Sequence, residues 1–568
     1  MNARIGEILV QKNLVSAADI EVAVAEQTKT GKLIGEILVQ KGLVTERDLL
    51  ISLGEQLQLD FVDLKKTKIM PEAVAAVPVK LANYYKIMPV EIKGSILTVA
   101  VSDPASHWPL DDIEVNLGLH PRMVLAAKQD IQEAIRQYYG VGAETVARIM
   151  KREEGAAAKK TAVPEDEPTE IIEEDVSATG NDATVVRLVD QILQEAVRRK
   201  ATDIHVEMGR QLLAVRYRVD GLLADARLPD GIRYLSSAIV SRVKIMAGMD
   251  IVERRLPQDG RCRMKIGMEE FDLRISILPS RHGEDIALRL LPARTSFLLE
   301  ALGMRAAQME VFKKLIQSPH GILFVTGPTG SGKSTTLYTG LSQLNARDRK
   351  IITVEDPVEY EIPGISQIQV NQAIGLSFAR ILRNILRHDP DVIMVGEVRD
   401  AETAAIAVQA ALTGHLVFST LHTNDAASGV TRLVDMGIEP FLIASSVVAF
   451  VAQRLARVIC AECKAEPTKE ELHYYQKVLG DKLGGATQNL RRGRGCNACD
   501  FTGYRGRTAL YEIMPIDEEI QRLILKGAAA GEIKKAAIQQ GRQTLWDDGR
   551  EKIIAGLTTP DEVMRVVG

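Results

Sequence analysis

The stretch Gly327-Pro328-Thr329-Gly330-Ser331-Gly332-Lys333-Ser334 sets glycines, a lysine and a hydroxyl at the spacing that phosphate binding requires. It follows the apolar run Ile322-Leu323-Phe324-Val325 and leads into a helix-compatible segment from Thr335, so it lies where a strand turns into a helix. Glycines at such a turn let backbone N–H groups close around a β-phosphate. Lys333 then reaches the β- and γ-phosphates, and the Ser334 hydroxyl is placed to ligate Mg²⁺. Residues Gly327 to Thr335 are therefore the expected ATP-binding loop.

Two more strands end in acids. Ile351-Ile352-Thr353-Val354 runs into Glu355-Asp356-Pro357-Val358-Glu359, and Asp391-Val392-Ile393-Met394-Val395 runs into Gly396-Glu397-Val398-Arg399-Asp400. Carboxylates at the C-terminal edge of a parallel strand beside a P-loop are where Mg²⁺ and the attacking water are held. The second segment resembles a Walker B strand with Gly-Glu where many P-loop enzymes have Asp. Thr413 to Thr423 then places His415 and His422 around one further strand, a pair that beside these motifs points to phosphate sensing.

Four of the five cysteines form the pairs Cys460-Ala461-Glu462-Cys463 and Cys496-Asn497-Ala498-Cys499, separated by 32 residues. In a reducing compartment such pairs argue for a metal rather than disulfides. Four thiolates suit a closed tetrahedral Zn²⁺ site with no open position, hence a structural one; a redox dithiol is the alternative. Cys262 has no such partner in sequence and reads as a small core residue.

These groups must be positioned by several domains, because 568 residues exceed what one core can organise. Hydrophobic content of 46% and charged content of 26% describe a soluble globular protein. A net charge of −4 provides no global field for nucleic acid, and with 4% aromatics there is no basic stripe of interleaved stacking residues. Met1-Asn2-Ala3-Arg4 opens no secretory signal, and the nearly apolar run Phe441 to Val451 is too short to cross a bilayer, so a cytoplasmic protein is expected.

Along the chain, Arg4 to Val15 returns as Leu33 to Val44, shifted by 29 residues, and each copy continues through a capping turn into a second helix. Residues 1–58 are thus read as a helical tandem-repeat module. Residues 59–140 form a small α/β docking domain, and 141–180 an acidic, Pro-containing flexible linker. An α+β domain follows over 181–292 and a RecA-like ATPase core over 296–455. A zinc-binding subdomain over 456–510 and a C-terminal helical region over 511–568 complete the order.

The succession of P-loop, Glu355 to Glu359, Gly396 to Asp400 and Thr413 to Thr423 strongly resembles the secretion ATPase superfamily. Within it the resemblance is to type II secretion ATPases (E proteins) and type IV pilus assembly, or extension, ATPases. It implies an α/β fold with a RecA-like P-loop core preceded by an α+β domain, and a homohexamer holding ATP between the two. It further implies hydrolysis of ATP to ADP and phosphate to drive pseudopilus subunits out of the inner membrane for type II protein secretion. Type IV pilus extension is the alternative, and a cyclic di-GMP-regulated receptor or scaffold the further one. Carried over by motif, Lys333 and Ser334 would bind phosphate and Mg²⁺, and Glu397 would hold the Mg²⁺ shell. Glu359 would orient or deprotonate the attacking water, and His422, supported by His415, would report the γ-phosphate. Arg274, Arg289, Arg383 and Arg387 would neutralise phosphate charge.

The tandem N-terminal pattern is similar to cyclic di-GMP-binding domains on some of these ATPases, with Asn13 in place of a glycine and Leu33 in place of an arginine. The cysteine pairs occur in assembly ATPases and are generally absent from retraction ATPases. The implied partners are an inner-membrane platform protein and the cytoplasmic domain of a membrane-anchored assembly protein. The implied location is peripheral, on the cytoplasmic face of that membrane.

Overall fold

The computed structural model describes residues 5–30, 33–104, 118–140, 145, 183–210, 212–229, 232–293, 296–480 and 486–568. Apart from Thr145, the stretch read as a linker lies outside these residues. The chain divides into two compact units, Met1–Leu291 and Pro292–Gly568.

The first unit opens with the repeat. Helices Ile5–Gln11 and Ala17–Thr30 form one copy, and Ile34–Gln40 and Glu46–Leu57 the other. The turn after each short helix needs a left-handed residue, supplied by Asn13 (φ 54°) and by Gly42 (φ 70°) at the equivalent position. Asparagine is among the few side chains that adopt this conformation readily. Hydroxyl caps then restart the chain, with the Asp19 amide donating to Ser16 Oγ and the Asp48 amide to Thr45 Oγ1, both at 3.2 Å. Leu9 and Leu38, and Val15 and Val44, are the matching apolar residues of the two copies, and all four meet in one core.

Next comes a three-stranded sheet of β1 (Met88–Lys93), β2 (Ile96–Val101) and β3 (His120–Leu125), with β1 and β2 antiparallel and β2 and β3 parallel. Helix Lys128–Tyr139 packs its apolar residues Ile131, Ala134 and Ile135 into the core of this module. The α+β domain adds β4 (Ala201–Met208), β5 (Leu213–Val219), β6 (Leu222–Asp225), β7 (Gln258–Ile266), β8 (Glu269–Ser280) and β9 (Gly283–Pro292), ordered β6-β5-β4-β9-β8-β7. Period-two alternation settles which face is covered. Phe271, Leu273, Ile275 and Ile277 of β8 are buried with helices Ala183–Arg198 and Ser236–Ala247, whereas Asp272 and Arg274 stand on the opposite face. Arg198 pairs with Glu133, and the Arg227 guanidinium stacks over the Tyr138 ring at 5.1 Å, so the N-terminal module and the α+β domain touch within this unit.

The second unit is built on β10 (Gly321–Thr326), β11 (Ile351–Glu355), β12 (Ser366–Gln369), β13 (Val392–Val395), β14 (Leu416–Leu421) and β15 (Val447–Ile459). The two-residue β16 (Lys464–Ala465) and β17 (Arg492–Gly493) form a separate small sheet, and β18 (Tyr504–Pro515) returns to the main one. The order is β12-β11-β13-β14-β10-β15-β18, with every pairing parallel except β15 with β18. A parallel sheet is covered on both faces, which accounts for the uninterrupted apolar run of β10. Ile322 and Phe324 enter one core and Leu323 and Val325 the other, with Phe324 stacked on Phe450 at 5.5 Å.

Two boundaries read from sequence shift. Strands β15 and β18 pair from Ala449 with Pro515 to Arg457 with Arg507 and, after a shift of register, at Ile459 with Tyr504, so the flanks of the cysteine region belong to the central sheet. Leu455, Ala509, Tyr511 and Ile513 pack in one core of that sheet and Ala456 and Leu510 in the other, which is why a cut at either 455 or 511 divides a core.

Candidate active site and metal centre

The P-loop leaves the C-terminal end of β10 and enters helix Lys333–Leu344. Its backbone is fixed from behind by β15. A Cβ on Gly327 would meet the Gln453 carbonyl oxygen at 2.6 Å, and one on Gly332 would meet Gln453 Nε2 at 2.8 Å. Gly332, at φ 87°, stands at the N-cap, so the first helical amides are free to face an anion. Lys333 folds back with Nζ donating to the Gly327 and Pro328 carbonyl oxygens at 2.8 and 3.0 Å. Burial lowers its pKa to about 8; Glu397 and Glu359 oppose the shift, and Arg454 adds to it. Two hydroxyls in this region, Thr326 Oγ1 and Ser331 Oγ, are buried with no hydrogen-bond partner among the described residues. A nucleotide fits this arrangement. The cradle is lined by donors, these two hydroxyls among them, and by a lysine whose charge a phosphate would stabilise.

The carboxylates separate into two kinds. Glu397 has a side chain only 13% exposed and holds Arg399 Nε at 2.6 Å and His422 Nε2 at 3.4 Å. It is brought there by Gly396, where the chain passes β11 closely enough that a Cβ would lie 3.3 Å from the Val354 carbonyl oxygen. The Thr420 hydroxyl fastens the same turn by donating to the Gly396 carbonyl at 2.8 Å. Glu359 is half-buried, and its charge, like that of Glu397, acts on Lys333. Glu355, expected with these acids at the strand's end, instead turns into the protein and is 4% exposed. It accepts hydrogen bonds from Tyr338, from Thr353 Oγ1 at 2.5 Å and from Gln367 Nε2 at 3.1 Å.

The two histidines are also separated. Leu416 pairs with Gly321 and Leu421 with Thr326, so His415 precedes the far end of the strand from the P-loop and His422 follows the near end. His415 Nδ1 lies 2.9 Å from the Ala410 carbonyl and 3.2 Å from Thr413 Oγ1, where it ties off helix Ala401–Leu412. His415 and His422 thus stand at opposite ends of the strand, and the side chain beside His422 is Glu397.

Of the arginines, Arg383 pairs with Glu402, and Arg387 donates to the Asn384 side chain and to the Arg383 carbonyl. Arg289 and Arg274 belong to the first unit. Arg289 Nε donates to Asp203 Oδ1 at 3.1 Å, and Arg274 lies across from Arg261 on β7. Sequence reasoning missed Gln453 and Arg454 at the rear of the P-loop. Their signal was two polar residues inside the apolar run of β15.

The four cysteines meet at the outer end of the β15 and β18 ribbon, all buried apart from a slight exposure of Cys463. Their Sγ atoms lie within 4.8 Å of one another, with Cys460 to Cys496 at 3.9 Å and both Cys463 to Cys499 and Cys496 to Cys499 at 3.8 Å. A tetrahedron with Zn–S bonds of about 2.3 Å has edges of roughly 3.8 Å, so the thiols already stand at zinc-ligand spacing. Zinc fits this set, held by four sulfurs and left with no position for a substrate.

The profile of the family described as type II/IV secretion system protein matches residues 178–565. The chain belongs to that family. A second profile, the MshEN domain, matches residues 57–145. The type IV pilus assembly ATPase PilB of Myxococcus xanthus is 43% identical to this chain over 99% of both proteins. The type II secretion system protein E of Xanthomonas campestris is 40% identical over 99% of this chain and 98% of its own length. The solved structure of the ATPase DotB of Yersinia pseudotuberculosis shares the fold at 20% identity, with a TM-score of 0.50 over 67% of this chain and 93% of that one. The chain is an ATPase of this family, with hydrolysis coupled to protein secretion or pilus assembly. No helix among the described residues is long and apolar enough to cross a membrane.

Proposed function

We propose that this protein is a hexameric cytoplasmic motor that hydrolyses ATP to assemble pseudopilus subunits of a type II secretion system at the inner membrane. The observation that carries the reading is the convergence of Glu359 and Glu397 on Lys333 at one P-loop. Bound ATP·Mg²⁺ supplies the γ-phosphoryl group and its charge-neutralising cation. The P-loop amides and Lys333 bind the phosphates, Ser334 and Glu397 hold the cation, and Glu359 orients the water and takes its proton. His422, in contact with Glu397, reports whether the γ-phosphate is present. Arg274, Arg289, Arg383 and Arg387 are the candidates to neutralise phosphate charge, within one subunit or across a hexamer interface. The implied partners are an inner-membrane platform protein and the cytoplasmic domain of a membrane-anchored assembly protein.

A second reading, type IV pilus extension, is favoured by the full-length similarity to the Myxococcus protein. The repeat module further supports cyclic di-GMP as a regulator, tested by saturable binding of the dinucleotide to the full chain. Replacing Lys333 with Ala in the native host separates the pathways. Loss of secreted proteins with pili intact supports the secretion motor; loss of pili with normal secretion replaces it with the pilus motor.

A further inference from the structure

Tyr338 stands one turn beyond Ser334 on the P-loop helix, and only 1% of it is exposed. Its hydroxyl donates to the Glu355 carboxylate and accepts the backbone N–H of Glu359 at 3.2 Å. A phenol has one proton to give, and here it is donated to Glu355. Glu355 therefore fixes the direction of the bond and turns the remaining lone pairs of Tyr338 toward Glu359. Burial, and then the charge of Glu355, push the Tyr338 phenol above its ordinary range, so the proton stays in place.

The rest of the loop is fastened to the same carboxylate. Gln367 Nε2 donates both to Glu355 and to the Tyr360 carbonyl oxygen, the latter at 2.9 Å, while Gln367 Oε1 accepts the Ile362 amide at 2.7 Å. The rings of Phe297, Tyr338 and Tyr360 pack on one another, with centroids 5.3 to 6.0 Å apart. The segment that carries Glu359 is thus registered on the helix that carries Lys333 and Ser334. Small displacements of a reacting group are costly in rate, so such a frame acts on the chemical step.

We propose that Tyr338 is a positioning residue that aims Glu359, using a hydroxyl whose direction is set by the buried Glu355. The proposal rests on the reading of Glu359 as the group that activates water. It gives Glu355 a role away from the metal and the water, as the anchor of the loop.

The test is steady-state ATP hydrolysis by the full chain carrying Tyr338→Phe, alone and combined with Glu359→Gln. Tyr338→Phe is expected to lower kcat roughly tenfold, the worth of one oriented hydrogen bond, and to leave KM for ATP within about twofold. In the Glu359→Gln background it is expected to change the residual rate by less than about twofold, because the group it aims is gone. An unchanged kcat in Tyr338→Phe overturns the proposal, as does an equal fall in both backgrounds, which marks a merely structural loss. Gln367→Met, which frees the same loop at Tyr360 and Ile362, is expected to follow the same pattern and serves if Tyr338→Phe is unstable. A Glu359→Gln protein hydrolysing ATP at the parental rate overturns the base assignment itself, and with it the role of Tyr338.

Discussion

Arg454 Nη2 donates to the Asn424 carbonyl oxygen at 2.7 Å while Nη1 lies 3.1 Å from where a Cβ on Gly327 would be, so one side chain joins the loop after β14 to the back of the P-loop. That loop begins at His422, the residue that touches Glu397. Burial lowers the Arg454 pKa, and the nearby acids Glu512 and Asp425 oppose the shift. Its guanidinium donates to the Gln453 carbonyl at 3.0 Å and to the carbonyl and Oδ1 oxygens of Asn424 at 2.7 and 3.4 Å.

Arg454→Met is therefore expected to raise KM for ATP at least about fivefold and to lower kcat, since hydrogen bonds from a charged group are worth roughly 1.5–3 kcal/mol. Arg454→Lys keeps the charge without the forked geometry and should fall between Met and the parent. Initial-rate kinetics decide it; parental constants in Arg454→Met would remove this link between the two loops.

The cysteine cluster predicts one zinc per chain by elemental analysis. Cys463→Ser is expected to lose the metal and to melt lower by about 5 °C or more, because a structural site contributes folding energy directly. Native protein free of metal, with all of its thiols open to a thiol reagent, would contradict the assignment.

The acid limb of stability should depend on Glu562. Burial works against ionisation of this carboxyl, but hydrogen bonds from Arg565 and Arg457 outweigh it and hold the pKa down at about 2. A carboxyl depressed in the folded state stabilises fully above its unfolded pKa of about 4.3, and the contribution disappears as the pH falls through the folded value. Glu562→Gln is expected to cost up to roughly 3 kcal/mol at pH 7, with the gap to the parent closing between about pH 4.5 and 2. Denaturant unfolding of both proteins at several pH values checks this, and a gap independent of pH would refute it.

Much of this arrangement was legible because the phosphate chemistry uses contiguous residues. Gly327 to Thr335 must be a strand-to-helix turn to bind phosphate at all, and the 29-residue repeat leads to paired helices with matching core residues. What escaped depends on direction along a strand. Val354 and Glu355 differ by one position, but Glu355 lies at the edge of β11 beside Tyr338, Thr353 and Gln367, and their donors draw it inward. His415 and His422 flank one strand and thereby fall at opposite ends of the sheet. The boundaries at 455 and 511 fall inside β15 and β18, because the sequence carries no turn signal that marks where those strands end.

The length of those strands carries a geometric consequence. β15 lies along β10 from Val447 to Ala452, supplies Gln453 and Arg454 behind the phosphate loop, and extends to Ile459, next to Cys460. The ribbon beyond the P-loop is about seven residues long, or roughly 23 Å, which sets the distance from the nucleotide cradle to the cysteine tip. The same two strands thus frame the phosphate loop at one end and carry the four cysteines at the other.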